Sequence, residues 1–123
     1  MRYIFLIAAL IAGPAVLPSS HAATINVACP GASLQAAVDS GQPGDIIEVT
    51  GTCSENVLVR NEKQRLTLDG GGTATINGPS SSSPTLNVRG KGILIQGFTI
   101  TGGSDGVDVN RGSNAVINNN EYP

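Results

Sequence analysis

Glu48 and Asp69 sit in similar settings, each at an outward position of a short aliphatic run, Ile47-Glu48-Val49 and Leu66-Thr67-Leu68-Asp69. Two carboxylates on one face are the equipment of glycoside hydrolysis, one acting as acid and the other as base. If stacking places Asp69 on a ladder with Thr50, Gln96 and Asn118, Glu48 lies diagonally from it, about 7 to 8 Å away. That separation overlaps the roughly 6.5 to 9.5 Å of an inverting pair. Glu48 and Asp69 are therefore the candidate catalytic residues, set against the commoner reading of solvated turn acids. In Gly102-Gly103-Ser104-Asp105-Gly106-Val107-Asp108, Asp105-Gly106 reads as a tight turn in which the Asp side chain bonds the backbone. Gly70-Gly71-Gly72 lacks the following helix and Lys-Ser/Thr pair of a phosphate loop and reads as a sharp turn. Arg60, Arg65, Arg89 and Arg111 are scattered along the chain, and none stands out as a base. No pattern calls for a cofactor.

The sole histidine, His21, follows an apolar run that reads as an export signal. Arg2 gives the positive start, Ile4 to Leu10 and Ala15 to Leu17 the apolar body, and Ser20 and Ala22 the small residues of a cleavage site. The expected cut falls after Ala22, or after Ala23. The run is short for a bilayer span and holds Gly13 and Pro14, so no stable membrane span is expected once it is removed. The mature chain then has no histidine for acid-base work. Cys29 and Cys53 lack a third cysteine or a histidine to share a metal, and an exported chain is oxidised, so a disulfide is expected. It closes a loop of roughly 25 residues, worth on the order of 3 kcal/mol. The expected location is secreted or periplasmic. A net charge of -2 shows no basic excess of the kind that draws a chain to nucleic acid.

Elements must now hold these residues in place. With 13% charged and 3% aromatic residues but many Gly, Ser, Asn, Thr and β-branched residues, the composition is all-β. One helix is expected over 33–39, where Leu34, Ala37 and Val38 share a face, Ser33 caps and Gly41 terminates. Short strands follow at 46–50, 57–60, 66–69, 74–77, 85–88, 93–96, 98–101, 106–109 and 115–118. Residues 93–100 align with 115–122 at an offset of about 22, so that Ile95 falls on Ile117 and Ile100 on Tyr122. A period of that size is one rung of a solenoid whose coils stack about 4.8 Å apart. Ile47/Val49, Leu66/Leu68, Ile93/Ile95 and Ala115/Ile117 then point inward. Pro79 to Pro84, with four serines between, reads as an exposed loop.

Ser33-Leu34-Gln35-Ala36-Ala37-Val38-Asp39, Pro43-Gly44-Asp45-Ile46-Ile47-Glu48-Val49 and Gly51-Thr52-Cys53 together resemble the opening of bacterial proteins of the pectin lyase-like superfamily. The segment from Gly92 to Val109, and the new start at Ser113 to Asn120, look like that family's β-helix repeat. The resemblance implies a right-handed parallel β-helix with a short N-terminal capping helix. The division is a signal peptide over 1–22, a cap segment over 23–45 and β-helix coils over 46–123. The run Asn119-Asn120-Glu121-Tyr122-Pro123 departs from the repeat with no capping segment after it, so the coils are expected to be incomplete at the C-terminal end. The family spans lyases, hydrolases, epimerases and noncatalytic surface proteins. Two functions follow: a polysaccharide-active enzyme whose catalytic coils lie beyond residue 123, or a noncatalytic surface or carbohydrate-binding scaffold. Polysaccharide is the expected partner. Asp105 and Asp108 also resemble the calcium-binding glycine-aspartate repeats of a β-roll family, a resemblance that makes them the candidate metal ligands, though Asp105 stands where that motif needs Gly.

Overall fold

The computed structural model of the chain describes residues 22–110 and 112–123. The expected signal segment, apart from Ala22, lies outside the described residues, as does Arg111. Ten elements follow: β1 (Thr24–Ala28), α1 (Leu34–Ser40), β2 (Ile46–Thr50), β3 (Thr52–Cys53), β4 (Val57–Val59), β5 (Thr67–Gly78), β6 (Leu86–Val88), β7 (Leu94–Gly102), β8 (Val107–Val109) and β9 (Val116–Asn118). They form a parallel β-solenoid of about 4 turns. One sheet runs β9-β7-β5-β2-β1, with β3 also on β5, and a second runs β4-β6-β8. All the named strand pairings are parallel.

The hydrophobic alternation decides what faces inward. Ile25, Ile47, Leu68, Ile95 and Ile117 pair in register from coil to coil, and the middle three are fully buried. Val57 and Leu86, then Val59 and Val88, form matching buried rows on the second sheet. Stacked aliphatics thus make a core in which, among the described residues, Phe98 is the one aromatic side chain. Ile117 is only half-buried, because among the described residues no strand stacks beyond β9.

Two features differ from the sequence reading. Residues expected only as cap contain β1, which pairs with β2 along its whole length, so the stack starts one strand earlier. The separate strands expected at 66–69 and 74–77 are one strand, β5, with a bulge between Asp69 and Ala74; likewise 93–96 and 98–101 merge into β7. Gly70 to Gly72 are that bulge. It packs against Gly97, where φ is +76° and a Cβ would come within 2.9 Å of the Gly71 and Gly72 nitrogens. Gly41 ends α1 where expected, in extended backbone, its N–H donating to the Val38 carbonyl. A larger residue there would meet the Leu66 side chain at 2.9 Å.

α1 lies across the first coil with Leu34, Ala37 and Val38 buried. Too short to persist alone, it is held at both ends by later coils. At its start, Ser33 accepts from the Ala36 N–H, while the Glu55 carboxylate accepts from the Leu34 and Gln35 N–H groups and from the Ser33 hydroxyl. At its end, the Lys63 ammonium donates to the Asp39 and Gly41 carbonyls. A Cys29–Cys53 disulfide joins the turn after β1 to β3. The Pro79 to Pro84 loop is pinned by Asn56, whose amide donates to the Ser80, Ser83 and Pro84 carbonyls and accepts from the Ser80 N–H. No helix among the described residues is long and apolar enough to cross a membrane.

Candidate functional site

The outward ladder of the larger sheet reads Asn26, Glu48, Asp69, Gln96, Asn118. Glu48 is therefore the direct neighbour of Asp69 on the next coil, and the expected diagonal arrangement, with Thr50 beside Asp69, is corrected. Thr50 pairs with Ala28 instead. The slip is two residues. Because strand side chains alternate with period two, such a slip leaves every inward residue inward, and the hydrophobic pattern cannot detect it. Asp69 is committed to the scaffold: one carboxylate oxygen accepts from the Gly71 N–H at 2.8 Å across the bulge, the other from the Gln96 amide at 3.3 Å. Glu48 is exposed. Glu48, Thr50, Asp69, Gly71 and Thr73 border a shallow groove of about 280 Å³.

Asp105 lies in the turn before β8, where its carbonyl accepts from the Thr85 N–H and its carboxylate from the Ser104 hydroxyl. Asp108 stands on the outer face of β8 opposite Asn87. Among the described residues, the one grouping of three metal-type side chains is Cys29, Cys53 and Glu55. Its sulfurs are joined in the disulfide and its carboxylate caps α1.

The arginines that look scattered in the sequence come together in space. Each coil leaves the smaller sheet and turns the same corner into the larger one: 60–66 after β4, 89–93 after β6, and 110 with 112–115 after β8. All five described cations, Arg60, Lys63, Arg65, Arg89 and Lys91, lie on this corner. Arg89 continues the register in which Val59 pairs with Val88, its N–H donating to the Val59 carbonyl, which stacks it on Arg60. Gln64 bridges Lys91 in parallel, and the Lys91 N–H donates to the Lys63 carbonyl. Gly90 permits the approach, since a Cβ there would meet the Lys63 carbonyl oxygen at 2.5 Å.

These cations divide by role. Arg60 pairs with Asp39 at 3.4 Å and Lys63 caps α1, so both serve the helix. Among the described residues, the one side-chain hydrogen bond of Arg65 goes to the neighbouring Gln64 amide oxygen, at 3.4 Å. Arg89 and Lys91 have exposed side chains with no ionic or hydrogen-bonded partner among the described residues. They border a groove of about 380 Å³ completed by Asn61, Asn110, Gly112 and Ser113. Two cations beside two amides suit an anion that also carries hydroxyl groups. The signal for this corner was present in the sequence as a recurrence, because a basic residue follows both Val59 and Val88 directly.

No family model matches the chain, and no solved structure matches it. Over 90 residues it is 37% identical to a protein named cell surface glycoprotein from Methanothermus fervidus, the match taking in 71% of this chain. The chain spans 15% of that relative's length.

Proposed function

We propose that this chain is part of an exported, noncatalytic surface solenoid, coiled right-handed as in the pectin lyase-like superfamily, whose basic corner holds an anionic polysaccharide. The observation that carries the reading is the gathering of all five described cations on one corner, with Arg89 and Lys91 left unpaired at a groove. Similarity to a protein named for the cell surface supports the location, and the disulfide suits an oxidising compartment. Both Asp69 oxygens are engaged by the protein's own turn and ladder, so the Glu48 and Asp69 pair lends the enzyme reading no support within these coils. The corner runs along the solenoid axis, so an extended polymer can meet cations on successive coils.

The test is calorimetric titration of the purified protein with polygalacturonate and with neutral dextran. Binding is expected for the first alone, weakening steeply with salt because the contacts are exposed and screened within about 8 Å at physiological ionic strength. Arg89→Gln with Lys91→Gln should weaken it at least about tenfold, a loss of roughly 1.4 kcal/mol. Equal binding of dextran, or an unchanged affinity in the double variant, refutes the reading.

A further inference from the structure

Asp45 is 4% exposed, and among the described residues no cation pairs with it. Its carboxylate accepts from the Gln42 N–H at 2.8 Å and from the Ala23 N–H at 2.9 Å. Burying a carboxylate is costly unless it is hydrogen-bonded and its charge compensated. Two amide bonds answer the first requirement and leave the second open. The donor at Ala23 occupies a singular position, since it is the nitrogen of the bond between Ala22 and Ala23, where the export signal is expected to be cut.

We propose that the mature chain begins at Ala23 and that its α-ammonium is the counter-charge of the buried Asp45 carboxylate. The proposal rests on the exported reading above for the existence of a cut. Hydrolysis of the Ala22–Ala23 bond adds one water: the hydroxyl goes to the Ala22 carbonyl carbon, and the Ala23 nitrogen leaves as an amine that binds a proton at neutral pH. One N–H then keeps its place on Asp45, now as a charge-assisted bond, and the remaining two face water because Ala23 is exposed. The neighbouring backbone already fixes the residue, the Ala23 carbonyl accepting from the Ile46 N–H at 2.9 Å, so the ammonium is held without further ordering. A cut after Ala23 would discard the donor altogether, and Thr24 would begin the chain with Asp45 lacking a charged partner. The structure therefore discriminates between two cleavage positions that the sequence left open. Processing also strengthens the fold at its first strand, because β1 is tied to β2 through this contact as well as through its ladder.

The experiment has two arms. Intact-mass measurement of the exported protein should find Ala23 as the first residue; Thr24, or an uncut chain, overturns the processing half. Independently, the mature chain released from a fusion whose protease leaves Ala23 first is compared with the same chain carrying one extra glycine before Ala23, each also as Asp45→Asn. The extra glycine should lower the melting temperature by about 4 to 8 °C with Asp45 present and by much less with Asp45→Asn. If Asp45→Asn does not fold, acylation of the α-amine decides instead: the Ala23 amine should react at least about tenfold more slowly than the glycine amine of the extended chain. Equal melting temperatures or equal amine reactivities overturn the ion pair even if the cut is where expected. Neither arm involves the basic corner, so failure of polysaccharide binding would leave these results intact.

Discussion

Glu55 offers the sharpest test of how the first coil is held. It lies beyond β3, yet its carboxylate does the work of a capping box for α1, accepting from Leu34 N at 2.8 Å, Gln35 N at 3.0 Å and the Ser33 hydroxyl at 3.0 Å. Replacing it by alanine removes an anion from a helix N-terminus and orphans two half-buried amides. A lost N-cap costs roughly 0.5 to 2 kcal/mol, and hydrogen bonds to a charged group contribute about 1.5 to 3 kcal/mol each. The site opens on a groove of about 390 Å³ bordered by Pro30, Gly31, Ser33 and Ser54, so water reaches the orphaned amides and the cost falls toward the low end. Glu55→Ala should therefore destabilise by about 1.5 to 2.5 kcal/mol, which for a domain of this size lowers the melting temperature by about 6 to 20 °C. Glu55→Gln keeps an acceptor in place without the charge and should lose about half as much. Thermal melts followed by circular dichroism on oxidised protein measure both. A drop below about 2 °C for Glu55→Ala would refute the remote cap.

The remaining predictions concern the staple, the core and acid. Cys29→Ser with Cys53→Ser should cost about 3 kcal/mol in urea unfolding, and reductant should reproduce that loss in the unaltered protein. Ile95→Ala, in the middle of the buried row, should cost about 2 to 5 kcal/mol, while Ile117→Ala at the half-buried end should cost much less; comparable losses in urea would contradict a stack buried coil against coil. Backbone N–H groups of Gln42 and Ala23 hold the Asp45 carboxyl below its ordinary 3.8, against the opposing effect of burial. A lowered folded value means the stabilisation is fully present above about pH 3.8 and is lost as the pH falls through the folded value. Urea midpoints between pH 5 and 2 should show that loss, and Asp45→Asn should remove its share.

What the sequence discloses is set by periodicity. Alternation at Ile47/Val49 and Leu66/Leu68 identifies the inward face, and the match of Ile95 to Ile117 identifies a stacked coil, so architecture and core could be read directly. The helix at 34–40 was legible because its face and its Ser33 cap are local. Register between more distant coils was not. Aligning Gly51 with Gly70 placed Thr50 beside Asp69, whereas the packing of Ile47 on Leu68 brings Glu48 there, and both choices bury the same residues. β1 was missed because Ile25 and Val27 are only two inward positions, too few to show a period. Both helix-holding side chains, Glu55 and Lys63, act across more than twenty residues, a distance at which no local capping pattern applies.

The basic corner shows how a solenoid hides a cluster of charges from linear reading. Residues one coil apart in sequence become neighbours about 4.8 Å apart, so Arg60 and Arg89 look unrelated in the chain and are stacked in the fold. Stacking gathers like charges on one face, and like charges repel, by about 1 kcal/mol at 4 Å even in water. Asp39 offsets one of them by pairing with Arg60. Arg89 and Lys91 receive no such partner among the described residues, although the chain carries more acids than bases and the acid Glu62 borders the adjoining groove with Arg89. A corner selected only for stability would alternate sign from coil to coil, as exposed ladders gain when opposite charges face each other. Glu62 is the one acid in the corner segments, and other acids lie on other faces, at Glu48 and Asp69 on the larger sheet and Asp108 on the smaller. On the proposed reading an anionic partner from outside repays that crowding, so neutralising Arg89 and Lys91 should leave the melting temperature unchanged or slightly raised while weakening salt-sensitive binding at least about tenfold.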